Sequence, residues 1–190
     1  VDASGRQSAA PQWLAELGCR RVAEESEASG IVYFTRFYRM RPGSSEPPQS
    51  DDPIAGDFDW VKYAVFPADD GVFSITLAVP LAEPRLKVLA REPAFDELVR
   101  QIPGLRPWQT AERATPIAPA GVAVQAMGGL SNRLRRFVDA QGPLAERFFV
   151  LGDAAYCTNP LYGRGCTQAF LHAQALADAL EESDGDYRAA

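Results

Sequence analysis

Apolar positions recur along the chain with two different periods. Near the start, Pro11 suits the first turn of a helix, and Trp13, Leu14, Leu17 and Val22 follow at helical spacing. This predicts a helix over 11–28, interrupted at Gly18. Residues 31–40 are dense in β-branched and aromatic side chains and apolar on both faces, which predicts a strand covered on both sides. Residues 60–66 and 72–79 predict a hairpin around Pro67-Ala68-Asp69-Asp70-Gly71, where Gly71 supplies a positive φ. In its second strand Phe73, Ile75, Leu77 and Val79 share a face and Ser74 and Thr76 lie opposite, so one face meets a core and the other something wetter. Short helices over 82–90 and 93–101 follow, then a loop over 103–119 carrying Trp108, and strands over 122–127 and 148–151. Last comes a long helix over 165–182, with Cys166, Ala169, Phe170, Ala173, Ala177 and Leu180 on one stripe.

This order of helix, antiparallel sheet with small helices, then strand–loop–helix predicts an α+β (mixed α/β) fold. The expected organisation is a first segment over 1–28, a sheet domain over 29–140 and a returning strand–loop–helix over 141–190. Between the first two strands, residues 41–59 carry Pro42, Pro47, Pro48 and Pro53 among five acids. That composition has nothing to bury and predicts either a mobile connection or a lid. Val1-Asp2-Ala3-Ser4-Gly5 resembles the end of a strand entering a loop, and Asp184-Gly185-Asp186-Tyr187-Arg188 a turn opening another helix. Both ends lead us to expect an internal piece of a longer chain.

Composition narrows the function classes. Apolar residues make up 46% and charged residues 23% of 190, the balance of an ordinary globular domain. No apolar run is long enough for a membrane span. A formal net charge of −6 disfavours a nucleic-acid partner. Three cysteines without a CxxC pair point to a reducing, cytoplasmic compartment, and one histidine leaves zinc sites and histidine triads without their parts. No metal is expected.

The chemistry concentrates in one stretch. Phe148 to Leu151 is an apolar strand ending in Gly152-Asp153-Ala154-Ala155; a loop with Pro160 follows, and Gly163-Arg164-Gly165 leads into the long helix. A carboxylate at the carboxyl end of a strand can accept hydrogen bonds from sugar-like hydroxyls. Glycines at a helix start leave bare amides where negative charge is favoured. A flavin wants both, having a polyol ribityl chain and a ring that becomes anionic on reduction.

Here the sequence resembles a family. Gly152-Asp153-Ala154-Ala155, Pro160, Gly163, Gly165 and Ala169 resemble the second FAD-binding motif of the aromatic-hydroxylase-type flavoprotein monooxygenases. Geranylgeranyl reductases and flavin-dependent halogenases are relatives. Asp2-Ala3-Ser4-Gly5-Arg6-Gln7-Ser8 is similar to a loop signature that these proteins carry in mid-chain. The resemblance implies an FAD domain wound around an inserted antiparallel-sheet substrate domain, in a bacterial, cytoplasmic oxidoreductase. FAD is the implied cofactor, NAD(P)H the implied reductant, and an aromatic or polyketide-like small molecule the implied substrate. Asp153 would bind the ribityl hydroxyls and Pro160 would pack against the flavin, with Gly152, Ala154 and Gly163 also among the cofactor-binding residues. The amides of Gly165, Cys166 and Thr167 would face the pyrimidine edge. The sequence departs from the pattern at Tyr156, where many relatives have histidine, and at Ser4-Gly5, where they have Asp-Gly. It also holds no GxGxxG turn, so an N-terminal segment binding the ADP half of FAD is expected outside these residues.

Other readings stand beside this one. His172 reads as a packed or surface helix residue. Cys157 and Cys166 flank the loop as a possible redox pair but read better as small buried side chains. Arg133, Arg135 and Arg136 form either a solvated surface or a nicotinamide-phosphate contact. Tyr33, Phe37, Tyr63 and Phe73 read mostly as core. No catalytic residue is identified. A halogenase would use a catalytic lysine, and only Lys62 and Lys87 are present. The alternatives are a flavin-dependent reductase or a halogenase-like enzyme, or a binding domain without catalysis, and the Gly-Asp loop is the feature a plain binding sheet would not need.

Overall fold

The structure is a computed structural model in which residues 1–183 are described; the turn expected over 184–188 lies outside them. In chain order the elements are α1 (Ala10–Glu16), β1 (Ala23–Ala28), β2 (Ile31–Met40), β3 (Ala55–Phe58), β4 (Val61–Pro67), β5 (Val72–Pro80), α2 (Glu92–Gln101), β6 (Ala114–Ile117), β7 (Gln125–Met127), β8 (Ser131–Arg136), β9 (Val138–Asp139), β10 (Gly142–Pro143), β11 (Tyr156–Cys157) and α3 (Gly165–Glu182). The class is α+β. The chain divides into two compact units, one of residues 1–29 with the segment from Ser131 onward, the other Gly30–Leu130. β8 therefore belongs with the termini, whereas its position in sequence had placed it in the sheet domain.

The Gly30–Leu130 unit is built on an antiparallel sheet in the order β3-β4-β5-β2, with β6 and β7 both on the far edge of β2. Strand alternation puts Phe34, Arg36 and Tyr38 of β2 on the same face as Val61, Tyr63 and Val65 of β4 and Phe73, Ile75, Leu77 and Val79 of β5. Leu89, Phe95, Val99, Ile102, Leu105 and Trp108 cover that face and complete the core. Tyr38 stacks on Phe73 at 5.1 Å between ring centroids, and Phe73 tilts against Trp108 at 5.2 Å. The opposite face carries Tyr33, Thr35 and Phe37 with Ser74 and Thr76, and the Thr35 and Thr76 hydroxyls pair across the strands at 2.9 Å. Thr35 and Phe37 are half-buried, so β2 is not covered equally on both sides.

Arg36 is the exception in this apolar layer. It is 4% exposed, and its guanidinium is ion-paired to Asp96 and Glu92 on α2. It also lies over the Tyr38 ring, 5.7 Å from the centroid. The Tyr38 hydroxyl accepts a hydrogen bond from Gln109 Nε2 at 3.1 Å. Burial pushes the Tyr38 ionisation well above its ordinary range, and the Asp96 carboxylate adds to the effect. A charge this deep is tolerable only because carboxylates meet it, so the network ties α2 to the sheet at one register.

The acidic, proline-rich stretch is tied rather than free. Its last residues form β3, which pairs with β4. Upstream, the Arg41 N–H donates to the Arg113 carbonyl at 2.8 Å and its Nε to the Ala111 carbonyl at 2.6 Å. The Arg113 guanidinium donates to the Ser45 carbonyl, and Ser44 Oγ donates to the Glu112 carbonyl. Pro53 runs so close to Gly104 that a Cβ there would stand 1.8 Å from the Pro53 carbonyl oxygen.

In the other unit, two predicted elements differ. The expected helix over 11–28 stops after Glu16, because Gly18 takes a left-handed φ of +74°. The Gly18 and Cys19 amides then bond back to the Ala15 and Leu14 carbonyls. Residues 23–28 form β1 instead, antiparallel to β8. Their Ala and Glu content favours helix, but Glu24 pairs with Arg135 and Glu25 with Arg136 across the strands. Tertiary pairing overrides local preference here. The expected strand over 148–151 makes one parallel bridge, Val150 with Asp2, and is otherwise unpaired. β9 pairs with β10, and β11 with β8. A small core of Leu14, Val22 and Leu144 lies beside Phe137 and Phe148. The α3 stripe is not a core face: no described α3 residue is buried, and Phe170 is 77% exposed. Among the described residues no helix is long and apolar enough to cross a membrane.

Two stability measurements check this account. Asp96→Asn leaves the Arg36 guanidinium short of a partner and should lower unfolding free energy by about 2–3 kcal/mol in urea titration. The double change Arg36→Met with Asp96→Leu should recover part of that loss. Gly104→Ala should destabilise by about 1–3 kcal/mol through overpacking, and limited proteolysis should then cut first within residues 44–53.

Candidate functional site

The candidate site is built wholly within the unit that holds the two termini. The extended segment ending at Leu151 is fixed by backbone bonds to Asp2: the Asp2 N–H donates to Phe149 O at 2.7 Å, and the Leu151 N–H to Asp2 O at 2.9 Å. The chain then turns sharply at Gly152, whose φ is +58°. A Cβ at this position would lie 3.3 Å from Cβ of Ala169 on α3. Both the left-handed φ and the close approach of α3 favour glycine here. Its N–H donates to Nδ1 of His172 at 3.1 Å. His172 is therefore neither plain packing nor plain surface.

Asp153 follows, half-buried, and Ala154 is fully buried behind it. The Cys157 thiol donates to Asp153 Oδ2 with a sulfur–oxygen distance of 3.8 Å. Burial pushes the Cys157 thiol up, and the neighbouring carboxylate adds to this, so it stays protonated at neutral pH. Cys166 is exposed, which corrects the expectation that both cysteines are buried. All three cysteines are free.

A second wall comes from the opening loop. Asp2 is 6% exposed and accepts from Ser4 N–H at 2.9 Å, from Ser4 Oγ at 2.6 Å and from Ser8 Oγ. Burial alone would raise its carboxyl, but the Ser4 and Ser8 hydrogen bonds outweigh this and hold it below the usual range. Arg133 and Arg135 reach the same loop: the Arg133 guanidinium donates to the Arg6 carbonyl and Arg135 Nη1 to the Ser8 carbonyl at 3.1 Å. Arg136 pairs with Glu25. The arginine cluster is thus spent on loop carbonyls and on β1 carboxylates.

The third wall is the loop before α3. Asn132 Oδ1 on β8 accepts from the Asn159 N–H at 2.8 Å, and Asn159 Oδ1 accepts from the Leu161 N–H at 3.1 Å. This relay sets Pro160, which is exposed and opens a short 3₁₀ turn ending at Gly163 with φ +62°. α3 then begins at Gly165 with no side chain capping its first turn.

The three walls border an open cleft of about 660 Å³, lined among others by Gly5, Asp153, Pro160, Gly163, Gly165 and Cys166. A Cβ on Gly5 or Gly163 would meet nothing within 4 Å, and one on Gly165 would lie 3.6 Å from Asp153 Oδ1. Bare backbone therefore borders the cavity beside a carboxylate. Of the residues expected at the site, Gly152, Asp153, Pro160, Gly163, Gly165 and Cys166 line it; Ala154 lies behind it and Thr167 outside its lining. Sequence reasoning missed His172, Asn132 and Asn159. The available signal for His172 was its spacing of three from Ala169, which puts both on one helix face. Among the described residues no group of His, Cys, Asp and Glu gathers as a metal site.

The Asp2 knot predicts an acid dependence. A carboxyl held low in the folded state stabilises fully above its unfolded value near about 4 and loses that contribution as pH falls through the folded value. Asp2→Ala should cost on the order of 2 kcal/mol at pH 7, from three hydrogen bonds to a charged group. In urea unfolding across pH, the gap between the two proteins should close below about pH 4.

No family model matches the chain. A flavin-dependent monooxygenase from an unknown prokaryotic organism is 51% identical over 41 residues, 22% of this chain and 11% of that protein. Protein Rv3254 of Mycobacterium tuberculosis is 29% identical over 188 residues, 95% of this chain and 36% of that protein. The chain thus spans little more than a third of that relative's length. Among solved structures, the flavin-dependent halogenase CmlS has a TM-score of 0.59 at 20% identity, covering 98% of this chain and 31% of its own. Aklavinone-11 hydroxylase, solved with FAD and aklavinone, has a TM-score of 0.59 at 16% identity, covering 95% and 30%. PqsL, a probable FAD-dependent monooxygenase from Pseudomonas aeruginosa, has a TM-score of 0.59 at 19% identity, covering 97% and 46%. The chain shares its fold with these FAD-dependent monooxygenases and the flavin-dependent halogenase.

Proposed function

We propose that the cavity beside Asp153 holds the ribityl chain and ring of FAD, in an oxidoreductase that hydroxylates an aromatic or polyketide-like small molecule. The observation that carries this reading is the juxtaposition at the cavity of one carboxylate, bare glycine backbone and an uncapped helix start. A flavin presents the matching set, hydroxyls along its chain and acceptor atoms on its pyrimidine edge. Asp153 would accept hydrogen bonds from the ribityl hydroxyls. The amides of Gly165, Cys166 and Thr167 would meet the pyrimidine edge, where the helix start also favours negative charge. Pro160 and Gly163 would shape the cavity rim without donating side-chain hydrogen bonds. When bound, FAD supplies the redox and oxygen chemistry, and the chain supplies position and electrostatics.

The sheet of the other unit supports the substrate class. The face opposite the core carries the aromatic Tyr33 and Phe37 with the hydroxyls of Thr35, Ser74 and Thr76, Tyr33 and Ser74 being buried and the others half-buried. Such a surface suits an aromatic ligand bearing oxygens. NAD(P)H is the proposed electron source. The free cysteines support a reducing, cytoplasmic setting. One observation favours halogenation as a second reading: Lys62 lies on that same face of β4, ion-paired with Asp57.

Purified full-length protein should carry visible flavin absorbance. Asp153→Ala should weaken FAD binding by roughly ten- to a hundredfold, as loss of charge-assisted hydrogen bonds predicts. Unchanged affinity in a flavin titration would overturn the assignment of Asp153. Turnover assayed with and without halide separates hydroxylation from halogenation.

A further inference from the structure

The Gly152 amide sits in a buried turn, where an unpaired N–H is costly. Its left-handed φ takes it out of any strand ladder, so a partner must come from elsewhere in the fold. That partner lies twenty residues on, at Nδ1 of His172, 3.1 Å away. Ala169 and His172 stand three apart on α3 and so share a face. Ala169 provides the close approach to Gly152, and His172 provides the acceptor. The same helix starts at the cavity with Gly165 and Cys166. One rigid element therefore borders the cavity at its start and holds the Gly152 turn through His172 about two turns later.

We propose that His172 is a positioning residue: by accepting the Gly152 N–H it fixes the Leu151–Gly152 peptide, and with it the turn that carries the Asp153 carboxylate, relative to the start of α3. The inference rests on the flavin reading for its consequence, though not for its geometry. An Nδ1 that accepts the Gly152 N–H carries no hydrogen, which leaves the ring hydrogen on Nε2. Asparagine places its Oδ1 the same number of bonds from Cα as histidine places Nδ1. Phenylalanine keeps the ring and loses the acceptor.

Full-length protein, His172→Asn and His172→Phe should be compared by two measurements. Hydrogen exchange at the Gly152 amide, read without added flavin, should be at least roughly tenfold faster in His172→Phe and close to wild type in His172→Asn. FAD titration should show roughly tenfold weaker binding for His172→Phe, the worth of one buried hydrogen bond, and near-wild-type binding for His172→Asn. Equal exchange and equal binding in all three overturns the proposal, as does an asparagine variant as impaired as the phenylalanine one. Imidazole ¹⁵N spectra of the wild type test it without any substitution: a hydrogen on Nδ1 of His172 at neutral pH overturns it. If wild-type protein binds no FAD, the flavin reading fails while Gly152 exchange still decides the role of His172.

Discussion

Gly152 is held by three constraints at once. Its backbone is left-handed, α3 stands 3.3 Å from where a side chain would begin, and its amide is bound to His172. Just upstream, the extended segment is pinned to Asp2. Every wall of the candidate site is connected to this turn. Asp153 follows it directly, the opening loop joins it through the Asp2 bridge, and α3 is packed onto it. A residue with a Cβ would have to change φ or push the helix away, and either change moves the carboxylate.

The unit that carries this site has only a small apolar core, of Leu14, Val22 and Leu144. Polar ties do much of the positioning that burial does elsewhere. Arg133 and Arg135 hold the carbonyls of the opening loop, Asn132 and Asn159 set the loop of Pro160, and Glu24 and Glu25 on β1 meet arginines on β8. Directional bonds of this kind specify geometry, whereas apolar contact mainly specifies proximity. In the other unit the balance is reversed: a continuous apolar layer covers one sheet face, and one buried ion-paired arginine fixes how α2 lies on it.

Much of the candidate site was legible because its chemistry is local. Gly152-Asp153, Pro160 and Gly163-Arg164-Gly165 lie within fourteen residues, and their spacing already implies a turn, a loop and a helix start. The parts that stayed hidden are the ones that act at a distance. Asn132 serves Asn159, Arg133 serves Arg6, and His172 serves Gly152, and no local pattern announces such pairs. The arginine cluster invited a ligand reading for the same reason, since a run of charges does not reveal that its partners lie on β1 and in the opening loop.

The sequence by itself determined the elements whose periodicity is strong: β2, the β4–β5 hairpin with its glycine turn, α2 and the full extent of α3. In these, propensity and patterning agree, so each element is specified by its own residues. Tertiary structure decided the rest. Residues 23–28 have helical composition yet form a strand, because a six-residue ladder to β8, joined by two cross-strand ion pairs, outweighs a propensity worth only fractions of a kcal/mol per residue. Residues 148–151 look like a strand yet pair only with Asp2, because a strand exists only where a neighbour completes its ladder. The stripe on α3 looks like a core face yet borders a cavity, because amphipathic spacing selects which side chains share a face and leaves what meets that face to the fold.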